Sequence, residues 1–435
     1  SPERPASTKH TSLCVKLRRI MKRAFVSMLA SLALSTAYSQ PADSLIQKGI
    51  NLSVEGRFRE AINLFLSIGA DTGSAASRFQ LGLCYANIND YSQARRFLKE
   101  AIALDSNNVN YRFQYARTLT QFGSLQEAES EYWSIIQRDS LFYRALFQLG
   151  ALLHDQKNYK RSLPLFSRII SAYPNDFLSQ FYVGSSLVGL GNQDSADSFL
   201  RKSMELNPTF VPAIVTLGSI RLSKRDYVEV LRLYEMASAL RPANAEYVYR
   251  IGQAYRDFND HERAIMYFKK AVSLDSSNAL YFAQLGFVYY QLKRYQHSVD
   301  ANKKAISLDN DNPRYFINLA LSYSRMDSTD LAVKAYEGAI RATNPDEVAK
   351  LYVGLGSLLS EKKRYREALK AYQRSVDIDP SNRDAVFSIG WMYDMLEDAS
   401  AATKGYERYL KMTAGDSVST SRKRLIENRL KQWKK

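Results

Sequence analysis

The chain has 435 residues, of which 46% are hydrophobic and 12% aromatic, so it has ample material for a core and is not a disordered tail. Its 19 Gly and 11 Pro are too few for a collagen-like, linker-like or turn-rich all-β chain, and two Cys exclude a disulfide scaffold. The net charge of +16 raises nucleic acid or an acidic surface as a partner.

Residues 1–20 are polar, contain no Met, and read as an upstream extension that is excluded from fold reasoning. Residues 21–39 read as a secretory signal peptide. Lys22 and Arg23 form a positive start, Ala24 to Ala37 an apolar run, and Ala37 and Ser39 the small residues before a cut at Gln40. Fourteen helical residues reach about 21 Å, short of a ~30 Å hydrocarbon core, although a retained short anchor is the alternative. The expected setting is therefore outside the cytoplasm, periplasmic or secreted, with no span in the mature chain. Without residues 1–39 the charge falls to +10, and without 415–435 as well to +5. The basic excess thus sits largely at the ends, with no clustered stripe in the body to bind nucleic acid.

The body repeats. A small residue recurs at Gly49, Gly82, Ala116, Gly150, Gly184, Gly218, Gly252, Gly286, Ala320, Gly356 and Gly390, and eight of the ten steps are 34 residues. In phase with it, sixteen residues on, stand Phe65, Leu98, Tyr132, Phe166, Leu200, Tyr234, Phe268, Tyr336, Tyr372 and Tyr406. Ala recurs twelve on, as at Ala94 and Ala128, and Pro174, Pro208, Pro242 and Pro380 fall twenty-four on. Phe282, Leu285, Gly286 and Tyr289 make an i, i+3, i+4, i+7 face, and Ala264, Phe268 and Ala271 another. Each unit therefore reads as two helices joined by turns such as Glu55-Gly56-Arg57, with Gly or Ala at the crossing so that the paired backbones can approach. The aromatic sixteen on is expected to fill the gap between neighbouring units.

This pattern resembles the tetratricopeptide repeat (TPR) family over residues 42–414, as about eleven units. The resemblance implies an all-α solenoid, a right-handed superhelix of antiparallel helix pairs with a concave groove, and a role in binding polypeptides. Departures from the pattern are Arg78, Arg112 and Gln180 at usually apolar positions, Asn302 for the aromatic of unit eight, and Pro164 early in a second helix. Two residues are inserted near 341–350, where a bend is expected, and Asp398-Ala399-Ser400 replaces a common aromatic, leaving the packing of the last unit less certain. Residues 415–435 fit a basic final helix with Leu425, Ile426, Leu430 and Trp433 as its apolar stripe. It is read as a cap on the last unit, with contact to an acidic partner or anionic surface as a further role.

Catalysis finds no foothold. His10, His154, His261 and His297 lie apart, Cys84 reads as a small buried residue with no His in register, and the glycines belong to the repeat rather than to a phosphate loop. No metal, cofactor or enzyme activity is expected. The candidate binding surface is the first-helix face opposite the packing face, at offsets −6, −3, −2, +1, +4 and +5 from the small residue. Phe79, Phe113, Phe147 and Phe181 form a ladder on it beside Gln80, Gln114 and Gln148. Further along, Tyr249, Arg250, Gln284, Phe287, Tyr290 and Asn318 make a more polar stretch. Stacked amides can pair with the main chain of an extended peptide while aromatic walls hold its side chains. The family's carboxylate clamp of Lys and Asn at offsets −3 and +1 is missing. The expected function is a non-catalytic envelope scaffold holding a polypeptide, with a surface tether through the C-terminal helix, or a cytoplasmic regulator, as alternatives.

Overall fold

The computed structural model describes residues 41–68, 74–414 and 420–433, so the extension and the signal segment lie outside the described residues. Among the described residues there are twenty-three helices and no strand. They fall into two compact bodies that divide after Pro208.

The first body holds five helix pairs. They are α1 (Pro41–Val54) with α2 (Phe58–Ser67), α3 (Ala75–Asn87) with α4 (Tyr91–Leu104), α5 (Val109–Phe122) with α6 (Leu125–Arg138), α7 (Tyr143–Asp155) with α8 (Tyr159–Ala172), and α9 (Phe177–Gly189) with α10 (Gln193–Leu206). The second body holds six more. They are α11 (Val211–Ser223) with α12 (Tyr227–Leu240), α13 (Ala245–Asp257) with α14 (His261–Leu274), α15 (Ala279–Gln291) with α16 (Tyr295–Leu308), α17 (Pro313–Arg325) with α18 (Thr329–Arg341), α19 (Pro345–Glu361) with α20 (Tyr365–Ile378), and α21 (Arg383–Met395) with α22 (Ala399–Met412). The final helix α23 (Thr420–Trp433) follows them.

Each pair is closed by one turn geometry. Seven residues after the small residue the backbone is left-handed in every unit: Gly56, Gly123 and Gly191 supply it three times, and Asn89, Lys157, Arg225, Asn259, Lys293, Asp327, Lys363 and Glu397 supply it elsewhere. The next N–H then reaches back to the carbonyl five residues earlier, as Asn158 does to Leu153 and Asp260 to Tyr255, both at 2.8 Å. This ends the first helix while placing Asp90, Asp226, Asp260 and Asp398 as N-caps of the second.

The crossing is tight because the side chain sixteen residues on lies over the small residue of its own unit. It also reaches the next unit as expected, Phe166 stacking on Tyr182 at 4.5 Å. A Cβ on Gly150 would stand 2.8 Å from the Phe166 ring, on Gly218 2.8 Å from Tyr234, and on Gly252 2.7 Å from Phe268. In the last unit two glycines meet, and a Cβ on Gly405 would lie 2.7 Å from the Gly390 Cα. Where Ser replaces Ala twelve on, its hydroxyl donates across the crossing: Ser162 to the Gly150 carbonyl at 2.8 Å and Ser298 to that of Gly286 at 2.7 Å.

The departures have local explanations. Arg112 pairs with Glu131 at 2.6 Å, Arg78 with Glu100 at 3.4 Å, and the buried Gln180 amide donates to the Pro174 carbonyl at 2.9 Å. Asn302 is fully buried, and its amide donates to the Ser298 carbonyl at 2.8 Å. Pro164 lies within α8, which continues unbroken from Tyr159 to Ala172. The insertion near 341–350 is taken up as extra helix: α19 has 17 residues against 13 in α17 and α21. In the last unit Ala402, Tyr406 and Tyr409 are buried, so it packs as fully as the others.

The final helix is held by a buried acid. Arg429 donates twice to the Asp394 carboxylate, whose side chain is 3% exposed and also accepts from Tyr406 at 3.1 Å. Arg422 pairs with Asp384 at 2.5 Å. Ile426 is buried and Leu430 packs on the same core, whereas Leu425 is 41% exposed and does not join the stripe. The Trp433 side chain lies outside the described residues.

Candidate functional site

In the first body, the first-helix face carries a pocket of about 390 Å³ between α5 and α7. Of the residues expected there, it brings together Phe113, Gln114, Phe147 and Gln148. Phe79, Gln80 and Phe181 lie outside it; Phe79 stacks on Tyr111 at 4.5 Å and Phe181 lies edge-on to Tyr182 at 5.5 Å. Phe113 is only 4% exposed, so it is floor rather than open wall, packed against Tyr132 and Phe142. Phe147 is half-buried and makes edge contacts with Phe166 and Tyr182. Gln148 is exposed. The Phe column therefore serves packing between successive first helices and the pocket at once.

Six further residues complete the lining: Arg117, Thr120, Gln121, Tyr132, Tyr143 and Arg144. Four of them occupy offsets +1, +4, +5 and −6, which belong to the face already defined by helical spacing. A smaller cavity of about 250 Å³ between α3 and α5 shares Gln114, Arg117 and Gln121 with the first, so the two form one stripe.

The two arginines are notable for what faces them. Arg117 donates to the Gln114 side-chain oxygen at 3.1 Å. Arg144 donates to the Asn110 side-chain oxygen at 2.6 Å and lies over the Phe113 and Phe142 rings at 5.0 and 5.2 Å. Both are exposed, and among the described residues neither meets a carboxylate. Tyr143 donates its hydroxyl to Asp176 at 3.1 Å; burial and that neighbouring carboxylate push its pKa up to about 12. Further along α7, His154 contacts Ser185 at 2.9 Å and is flanked by Tyr159 and Tyr182, and burial holds its pKa below the usual value.

The corresponding stretch of the second body is arranged differently. Tyr249 is buried, at 3% exposure, and its hydroxyl accepts from Gln253 at 2.9 Å, so it is a core residue rather than a groove wall. Arg250 pairs with Glu246 at 2.7 Å, and the Gln284 oxygen is taken by Arg256, itself paired with Asp257 at 2.7 Å. The Tyr290 hydroxyl accepts from Arg325 at 3.1 Å, and Arg325 meets Glu361 at 3.5 Å. Phe287 is exposed and Asn318 half-buried. These groups satisfy one another, in contrast to the pocket of the first body. Among the described residues no three His, Cys, Asp or Glu side chains gather as a metal site, and burial raises the Cys84 thiol to about 12. No helix of the described residues is long and apolar enough to cross a membrane.

Family models described as tetratricopeptide repeat match residues 113–177, 245–278, 279–312, 317–383 and 353–417, together more than half of the chain. The chain belongs to the tetratricopeptide repeat family. A model described as anaphase-promoting complex, cyclosome, subunit 3 also matches residues 55–132 of this TPR chain. The type IV pilus assembly protein PilF of Pseudomonas aeruginosa is 24% identical over 164 residues, 36% of this chain and 63% of that protein. Tetratricopeptide repeat protein 21B of Xenopus laevis is 26% identical over 129 residues, 29% of this chain and 10% of that protein. The TPR chain thus spans less than two thirds of the length of these relatives. Among solved structures, the C-terminal part of a TPR repeat-containing protein from Cytophaga hutchinsonii aligns with a TM-score of 0.50 at 18% identity, covering 56% of this chain and 99% of that one. TPR proteins are in general protein-interaction scaffolds, and the fold places this chain among them.

Proposed function

We propose that the protein is an exported, non-catalytic scaffold of the cell envelope that holds an extended segment of a partner polypeptide on its first-helix face, with the pocket between α5 and α7 as the principal seat. The observation that carries this is the stripe itself: aromatic floor, three glutamine amides and two arginines without carboxylate partners on one face of successive helices. Amides can bond a peptide main chain and the rings can hold its side chains. The signal pattern at 21–39 supports the envelope setting, as does similarity to a relative named for type IV pilus assembly.

Capture of polypeptides from an envelope fraction, repeated with Phe147→Ala and Gln148→Ala, tests the groove. These residues line the pocket without being fully buried, so the fold should survive and capture should fall at least fivefold; equal capture removes the assignment. N-terminal sequencing of the processed chain should begin at Gln40, and a chain that retains residues 1–39 in the cytosol removes the envelope setting. The tether alternative rests on Arg424 and Lys431, exposed on α23 while Arg422 and Arg429 are engaged inward. Deleting 420–433 should abolish salt-sensitive binding to anionic vesicles if the tether operates.

A further inference from the structure

Units nine and ten meet differently from the other units of the second body. Five residues before the small residue, the first helix turns a side chain toward the preceding unit: Tyr247 meets the Tyr234 ring at 6.4 Å, and Tyr281 meets that of Tyr249 at 4.9 Å. That position is buried at Tyr247, Tyr281, Tyr315 and Ala385, but Leu351 in α19 is only half-buried, as are Tyr352, Val353 and Gly354 after it. The connection differs as well. Asn244, Asn278, Asn312 and Asn382 each end a connection by accepting a backbone N–H bond from the helix that follows. Between α18 and α19 stand Ala342, Thr343 and Asn344, and the Asn344 side chain accepts no such bond. At the opposite edge, charge holds the two turns together. Asp327 pairs with Lys362 and Asp330 with Arg364, both at 2.6 Å, and Arg325 with Glu361 at 3.5 Å. The two aspartates are 89% and 83% exposed.

We propose that this seam is a latch and hinge, shut by the charge pairs at the turns and pivoting on residues 342–344, and that rising ionic strength opens it. The pairs lie about 20 Å from the pivot, the length of α18 at 1.5 Å per residue. Parting the turns therefore tilts unit ten away from unit nine while the connection edge stays closed. Exposed ion pairs each contribute little and are screened by salt, whereas the buried rings that join the neighbouring units are not held by charge. The cations also keep partners when the latch parts. Arg364 is paired with Glu367 of its own helix at 2.6 Å, and Arg325 donates to the Tyr290 hydroxyl at 3.1 Å. Arg325 thereby joins the latch to the groove stretch of this body: opening frees it from Glu361 and widens the interval between α17 and α19 on the face that carries Tyr290. The device lies within the second body and does not depend on the pocket between α5 and α7.

Distances between spin labels in the full chain, with Cys14 and Cys84 replaced by Ala, test this. Leu331→Cys with Arg366→Cys reads the turn edge of units nine and ten, and Arg341→Cys with Asp377→Cys reads the connection edge; all four positions are exposed. Raising salt from about 20 mM to about 500 mM shortens the screening length from about 20 Å to about 4 Å. The turn-edge distance should then broaden toward separations longer by roughly 5 Å or more, while the connection-edge distance stays as it was. Asp327→Asn with Asp330→Asn removes two exposed carboxylates, so the helical circular dichroism should be unchanged. This variant should show the broad turn-edge distances already at low salt and lose the salt response. Asp327→Lys with Asp330→Lys should open the edge as well, and adding Lys362→Glu and Arg364→Glu should restore the narrow distance. A turn-edge distance that ignores salt overturns the latch, and equal broadening at both edges overturns the hinge. A salt response that persists in the Asp327→Asn, Asp330→Asn chain overturns the assignment to these pairs. The groove of the first body stands under each of these results.

Discussion

Lys157, Lys293 and Lys363 sit at φ between 58° and 59°, where a side chain crowds its own backbone. All three are exposed, and none of their ammonium groups is held by a carboxylate among the described residues. The left-handed conformation costs an L-residue roughly 1–2 kcal/mol, and glycine removes that cost at the partial expense of the greater freedom it loses on folding. Each Lys→Gly substitution should therefore stabilise the fold by about 0.5–1 kcal/mol, read as a rise in denaturant midpoint; a fall would mean that the turn is not strained. Gly405→Ala makes the opposite prediction. Alanine is the better helix former, but its methyl would meet the Gly390 backbone at 2.7 Å, which cannot rotate away. A net loss of about 1–3 kcal/mol is expected, and an unchanged midpoint would show that α21 and α22 can separate at no cost.

Among the helices, two contacts carry consequences that can be measured. His154 joins α7 to α9 through Ser185, with burial holding its pKa below the ordinary 6.5. The sign follows from linkage: above pH 6.5 the ring is neutral whether folded or unfolded, and its contribution is fully present. As pH falls below 6.5 the unfolded chain takes the proton first, and stability is lost until the folded pKa is passed. His154→Gln should flatten the stability slope over that acid window, and an unaltered slope would place its origin elsewhere. At the far end, removing Arg429 strands a carboxylate that is 3% exposed. Arg429→Leu should loosen α23 locally, seen as faster amide exchange across 420–433. The pair Arg429→Leu with Asp394→Leu should recover most of the loss. If the double variant exchanges as fast as the single one, the acid is not what anchors α23.

Across the whole molecule, the helix pairs, their order and the face that bears the pocket were legible because they depend on spacing, and spacing survives translation into a helix without loss. The small residues, the Ala column and the turns all fell in phase, and the helices follow them. What the spacing could not show was distance. Phe113 and Phe147 share a column in the sequence, yet one is floor and the other half-open. Tyr249 shares that column as well and is buried, because its hydroxyl finds Gln253. Arg117, Gln121 and Arg144 lie at offsets of the same face but do not recur from unit to unit, so no column marks them.

The clearance within each helix pair is settled by two positions sixteen residues apart in the same stretch of chain. Every unit thus carries its own spacer and owes its neighbours nothing for it. Glycine over Phe166, over Tyr234 or over Asn302 gives the same crossing from different side chains. An array built this way can grow or shrink by whole copies without retuning the rest.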